Sequence, residues 1–279
     1  MAEERQNQLK QEISILIENQ QTAPSLAVIL VQGDPASETY VNIKQKVCAH
    51  IGIVSYRYDF DDTISSQELL KLIHQLNHDP NIHGILVQLP LPPSIDTSLI
   101  IEAIAPEKDV DGFHPYNLGK LVLKQPFLRP CTPLGIMQLL NAYQISMTGR
   151  HVVIIGASNI VGRPMALECL MAGATTTICH RQTVHLKQHV EMADIVIVAI
   201  GQRGVVRSEW FHKNQVVIDV GIHRLDDGSL VGDCDFAQLN HHVAYLTPVP
   251  GGVGPMTVTA LMHNTLLAYH HQRSNSSQS

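Results

Sequence analysis

The chain has 279 residues, 44% of them hydrophobic and 16% charged, with a net charge of -6 at pH 7 and a mean hydropathy near zero. That is the composition of a water-soluble globular protein, long enough for one large domain or two ordinary ones. The acidic balance argues against nucleic acid as a partner, and no apolar run approaches the roughly 20 residues of a membrane span.

The polar, acidic start "MAEERQNQLKQE" has no apolar segment of the kind a signal peptide needs. Ser25 to Gly33, Val54 to Phe60 and His83 to Pro92 then read as strands. Between them lie helix-like stretches, among them Ser37 to Lys46 and Ser65 to Asn77. The second half repeats the pattern with strands at His151–Ser158, Thr175–His180, Ala193–Gly201 and Gln215–Ile222. Continuous apolar strands alternating with helices predict parallel sheets covered on both faces. Two such sheets predict two α/β lobes, and the Pro-rich, weakly periodic segment His114–Pro133 is the expected crossing point. The chain closes with a Gly-Pro loop at Gly251, an amphipathic helix and a polar tail expected to be disordered.

The five cysteines (Cys48, Cys131, Cys169, Cys179 and Cys234) are widely spaced, with no CxxC. That argues for reduced thiols in a cytoplasmic protein rather than a disulfide framework or a zinc site. The sixteen histidines are scattered without ligand spacing, so no metal is expected.

Several residues carry possible chemistry. Tyr40 and Lys44, four apart, share one helical face, either as a half-buried Tyr beside a solvated Lys or as a working pair. Lys46 points about 200° round the helix from that face. Gln88 ends a buried strand, where ligands of open α/β sheets collect, although a lone Gln there is often only an edge group. Asp109 and Asp111 precede a Gly turn, which Asp-Gly alone would explain. "HVVIIGASNIVGRP" is a strand, a Gly turn and a helix start. Gly156 permits the tight turn, helix-start N–H groups face a pyrophosphate, and Gly162 allows close packing. The next strand ends in His180 and Arg181 rather than an acid, so a cation could pair with the 2′-phosphate of NADP; a surface Arg is the plain alternative.

In order, "ASETYVNIKQK", "GILVQLPLP", "KDVDGFHPYNLGKL", "RPCTPLGI", "GASNIVGRP" and "TPVPGGVGPMT" resemble the bifunctional methylenetetrahydrofolate dehydrogenase/methenyltetrahydrofolate cyclohydrolase family, from about Pro24 to the final helix. The resemblance implies two α/β lobes flanking a cleft. Residues 1–128, completed by a helix at 256–271, would form the folate-binding catalytic domain. Residues 129–255 would form a Rossmann-type NADP domain, and 272–279 a disordered tail. It also implies oxidation of 5,10-methylenetetrahydrofolate by NADP, hydrolysis of the methenyl product to 10-formyltetrahydrofolate, and a homodimer. Carried over by motif, Lys44 is the central catalytic group, Tyr40 the aromatic platform, Gln88 the partner of Lys44, and Asp111 the pterin holder. Val87, Leu89, Pro250, Gly251, Gly252 and Gly254 would line the substrate. Gly156, Ala157, Ser158, Arg181, Ile222 and Thr257 would bind the cofactor. Many relatives carry Arg where this chain has Ala157, so the 2′-phosphate would rest mainly on Arg181. Many also begin with a further short strand ahead of the segment that opens this chain.

Overall fold

The structure is a computed structural model that describes residues 1–32 and 35–276. Gly33, the last residue of the first expected strand, lies outside the described residues, as do residues 277–279. The chain divides into two compact units, Met1–Cys131 with Val258–Ser279, and Thr132–Thr257.

The first unit opens with helix α1 (Ala2–Glu18), then β1 (Ser25–Val31), α2 (Pro35–Ile51), β2 (Val54–Phe60), α3 (Ser66–His78) and β3 (Gly84–Val87). The three strands form a parallel sheet in the order β2-β1-β3. All seven residues of β1 are buried, which is why it reads as an unbroken apolar run. Strand β2 lies at the edge and mixes exposed with half-buried residues. Helix α3 starts at a capping box: the Ser65 hydroxyl accepts from the Glu68 amide, and the Glu68 carboxylate accepts from the Ser65 amide. Its Leu69, Ile73 and Leu76 face the sheet. Lys108, buried, donates to the carbonyls of Leu76 and Asp79 at the end of α3, where the last carbonyls of a helix lack partners within it.

Strand β3 is shorter than expected. It ends at Val87, and Gln88 adds one further ladder bond, its N–H donating to the Ile29 carbonyl at 2.9 Å. Pro90, Pro92 and Pro93 beyond it have no N–H to extend the pairing. Helices α4 (Thr97–Ala103) and α5 (Pro115–Val122) follow. The second occupies the segment expected to be only a crossing, with His114 Nδ1 accepting from the Tyr116 amide as its cap and Pro115 in its first turn.

Helix α6 (Cys131–Ala142) leads into β4 (His151–Ile155), α7 (Gly162–Met171), β5 (Thr175–Cys179), α8 (Leu186–Met192) and β6 (Ile195–Val198). A 3₁₀ turn at Ser208–Trp210 precedes β7 (Val216–Asp219), and β8 (His223–Arg224) and β9 (Leu230–Val231) form a small antiparallel hairpin. Helix α9 (Phe236–Leu239), β10 (Tyr245–Leu246) and α10 (Val253–Ser276) complete the chain. The sheet of the second unit is parallel, in the order β10-β7-β6-β4-β5. Because β5 and β6 flank β4 on opposite sides, the connections leaving β4 diverge, and the crevice between the ends of β4 and β6 is the topological switch point of a doubly wound fold.

Helix α10 departs from two expectations. From Val258 to Tyr269 it is buried on nearly every side, so it is a central helix rather than an amphipathic one. It also continues into the segment expected to be disordered, where Gln272 donates to the His83 carbonyl at 2.8 Å and Arg273 lies over the Tyr269 ring.

Candidate active site

Helix α2 follows β1, and that placement sets its inner face against the carboxyl end of the first sheet. Lys44 is only 8% exposed and its Nζ donates to Gln88 Oε1 at 2.9 Å. The other end of the Gln88 amide donates to the Leu89 carbonyl at 2.7 Å, which fixes which atom faces the lysine. Lys46, two residues on, is exposed. Tyr40, one turn before Lys44, is half-buried, and burial raises its phenol further above the ordinary range, so it acts as a neutral ring.

Of the two acids before the Gly turn, only one is available for chemistry. Asp109 is 1% exposed, and its carboxylate accepts from the amides of Phe113 and His114 and from Asn117 Nδ2. It is the internal brace of the loop entering α5. Asp111 is partly exposed, and its carboxyl is pushed up to about 6 by burial, against the downward pull of the Lys44 ammonium. Its loop is held from behind: the Cys131 amide donates to the Asp111 carbonyl, and Asn264 Nδ2 donates to the carbonyls of Val110 and Arg129, both at 2.8 Å. Gly112 sits so close to Arg129 that a Cβ there would lie 2.4 Å from the Arg129 carbonyl carbon.

Val87 and Leu89 belong to or pack against the core of this unit. Val87 is buried, and Leu89 is half-buried.

In the second unit, β4 runs into the expected turn. Gly156 has φ +122°, and a Cβ on it would lie 2.1 Å from the Ala199 carbonyl oxygen. A Cβ on Gly162 would lie 1.9 Å from the Gly156 oxygen. The turn and the helix start therefore touch backbone to backbone, the close approach a dinucleotide site requires. One expectation is revised here. Ser158 Oγ accepts from the amides of Val161 and Gly162, and its carbonyl accepts from Arg163, so these N–H groups are already engaged. The Ser158 hydroxyl keeps its own proton to donate outward.

His180 and Arg181 follow β5 in a short turn closed by the Thr183 hydroxyl, which accepts from the His180 amide at 2.8 Å. Arg181 is exposed and, among the described residues, has no hydrogen bond or ion pair. Ile222, after β7, is 41% exposed. Gly251 has φ +100°, and a Cβ on Gly252 would lie 2.4 Å from the Pro248 oxygen, whereas Gly254 meets only Ile222, at 3.9 Å. Pro250 is exposed. Thr257 is engaged with the Thr132 hydroxyl at 3.1 Å and the Val253 carbonyl at 3.3 Å.

Lys44, Gln88 and Asp111 thus gather in the first unit, and the turn at Gly156, Arg181 and Ile222 stand at the carboxyl ends of the strands of the second. Asp219 and Asp233 were missed; both are 3% exposed and lie near the same strand ends. An acid closing the apolar run "VVID" was the available signal. The five cysteines are buried and unpaired. Among the described residues no group of three or more His, Cys, Asp and Glu side chains is arranged to hold a metal, and no helix is long and apolar enough to cross a membrane.

Residues 1–111 match the model of the tetrahydrofolate dehydrogenase/cyclohydrolase catalytic domain, and residues 130–273 that of the NAD(P)-binding domain of the same family. The bifunctional protein FolD of Legionella pneumophila strain Corby is 54% identical over 264 residues, covering 95% of this chain and 93% of the relative. Among solved structures, the bifunctional methylenetetrahydrofolate dehydrogenase/cyclohydrolase of Campylobacter jejuni is 48% identical with a TM-score of 0.94, covering 97% and 96% of the two chains. The Trypanosoma brucei methylenetetrahydrofolate dehydrogenase-cyclohydrolase, complexed with NADP cofactor and inhibitor, is 36% identical with a TM-score of 0.93, covering 97% and 95%.

Proposed function

The chain belongs to the tetrahydrofolate dehydrogenase/cyclohydrolase family, and we propose that Lys44, held by Gln88, is the group on which its chemistry turns. The enzyme oxidises 5,10-methylenetetrahydrofolate to the 5,10-methenyl form with NADP, then hydrolyses that cation to 10-formyltetrahydrofolate. The single observation that carries the assignment of Lys44 is the 2.9 Å bond from this buried lysine to Gln88, with Asp111 near enough to feel its charge.

The Tyr40 ring gives the folate an aromatic surface to pack on. The Asp111 carboxylate accepts from the amino and ring N–H groups of the pterin, which fixes the substrate's orientation. Hydration needs a water placed at the methenyl carbon and a proton delivered to N5 as the C–N5 bond breaks. Lys44 has three donors, of which Gln88 takes one, so it can orient water and supply that proton at the bridging nitrogen. Gln88 aims the ammonium without adding a charge. The backbone of Pro250–Gly254 serves as a surface for the substrate.

The second unit suits NADP: Gly156 and Gly162 give the close turn, Ser158 offers a hydroxyl proton, and unpaired Arg181 offers a cation for the 2′-phosphate. Bound NADP supplies the hydride acceptor, and the protein's part in that step is alignment. The five buried thiols suit a reducing, cytoplasmic compartment, and the resemblance implies a homodimer. Light scattering on the purified protein tests the dimer.

The decisive experiment is an absorbance assay with methylenetetrahydrofolate and either NADP or NAD, run on the native enzyme and on Lys44→Ala. The native enzyme should form reduced nicotinamide and then lose the methenyl absorbance. Folded Lys44→Ala should lose hydration by about 10²–10⁴-fold. Full hydration by that variant would remove Lys44 from its role.

A further inference from the structure

Two buried acids in the second unit have no part in the chemistry above. Asp219 ends β7 and Asp233 follows β9, each 3% exposed. Burying two carboxylates side by side is costly unless every oxygen is answered. Here the oxygens are answered. Asp219 Oδ1 accepts from the amides of Gly221 (3.1 Å) and Asp233 (2.9 Å), and Oδ2 from that of Cys234 (2.9 Å). Asp233 Oδ2 accepts from the amides of Ile200 (2.9 Å) and Gly201 (3.0 Å), and its Oδ1 lies 2.7 Å from His223 Nε2. The packing allows no Cβ beside these groups: one on Gly221 would lie 2.2 Å from Asp233 Oδ1, and one on Gly232 1.9 Å from Asp219 Oδ2.

The place of this network matters more than its strength. The topological switch lies between the ends of β4 and β6, where Gly156 abuts Ala199. Ile200 and Gly201 are the next two residues, so Asp233 holds one wall of that crevice by its amides. Ile222 is held from both sides, by Asp219 through Gly221 and by Asp233 through His223. The exposed Ile222 is thereby fixed in the turn that follows the end of β7.

We propose that the Asp219–Asp233–His223 network is the positioning device for hydride transfer, with Asp233 a positioning residue that shapes the nicotinamide end of the crevice. The proposal rests on the NADP-dependent reading above. It separates the two activities: hydration needs no dinucleotide, so disturbing this network should cost oxidation and spare hydration.

The test uses the full-length enzyme and the variants Asp233→Ala, Asp233→Asn and His223→Phe, each checked by circular dichroism. NADP-dependent oxidation, NADP affinity by calorimetry, and hydration of methenyltetrahydrofolate without cofactor are measured in parallel. Asp233→Ala leaves three donors unanswered and should lower the oxidation kcat by about 10²-fold while hydration stays within about twofold. Asp233→Asn should recover most of the loss, since its carbonyl can still accept from both amides. If Asp233→Ala does not fold, His223→Phe decides, with an expected fall of about tenfold in oxidation alone. Equal losses in both reactions, or native oxidation in Asp233→Ala and His223→Phe, would overturn the proposal. A native enzyme with no NADP-dependent turnover would instead overturn the functional reading beneath it.

Discussion

Replacing Lys44 with methionine should change the pH at which the enzyme takes up folate, quite apart from any effect on turnover. Burial holds Asp111 at about 6, and the Lys44 charge keeps it from rising further. The ionised carboxylate accepts from both pterin N–H groups, whereas protonation turns one oxygen into a donor that opposes them. With a pKa of about 6 the carboxylate is roughly 90% ionised at pH 7 and 10% at pH 5, so the apparent Kd should rise about tenfold between them. Lys44→Met keeps most of the side-chain length and removes the charge. A nearby opposite charge shifts a carboxyl by about 1–3 units, so, taking the low end, the inflection should move up by about one unit and binding at pH 6 weaken about fivefold. Anaerobic calorimetry with tetrahydrofolate measures this without catalysis. Asp111→Asn should bind weakly with a flat profile, which separates the side chain from titration of the ligand. An inflection that stays put in Lys44→Met, or survives in Asp111→Asn, would refute the reasoning.

The same carboxyl carries a stability prediction with a definite sign. Its folded pKa lies above the unfolded value, so the folded state disfavours the ionised form. The cost is absent below pH 4, grows as pH rises through 6, and is full above it. Asp111→Asn should therefore raise Tm at pH 7.5 by about 2 °C or more and leave it unchanged near pH 3.5. In the second unit, Arg181→Ala should raise KM for NADP about tenfold or more and leave KM for NAD nearly unchanged, read from initial rates with each cofactor. Equal shifts for both would dismiss Arg181 as the phosphate contact. Gly162→Ala would drive a methyl into the Gly156 carbonyl, 1.9 Å away. NADP affinity should drop about 10²-fold while hydration persists, and native NADP binding by this variant would contradict the close-turn geometry.

Much of the framework was legible in the chain because its physical causes are local. A strand buried on both faces must be apolar throughout, so β1, β4, β6 and β7 stand out as short Val- and Ile-rich runs. The start of α3 is written in Ser65 and Glu68, three residues apart. Helix α5 was hidden because its buried residues are few and Pro115 reads as a breaker, although proline is favoured in a first turn. The tail beyond His271 is polar in composition, and its helical continuation rests on partners such as the His83 carbonyl, 189 residues away in sequence.

The sequence by itself determined the α/β alternation, the Gly turn after β4 and the shared face of Tyr40 and Lys44, since these depend on backbone periods and sterics within a few residues. Family motifs singled out Gln88 and Asp111, but no local rule does. Only the tertiary structure decided that Lys44 donates to Gln88 across 44 residues, and that Asp109 is a brace while Asp111 faces the lysine. It alone joined Asp233 to amides 32 and 33 residues away. The reason is physical: a side chain's charge state and role are set by what desolvates it and what it hydrogen-bonds, and folding brings those neighbours from distant parts of the chain.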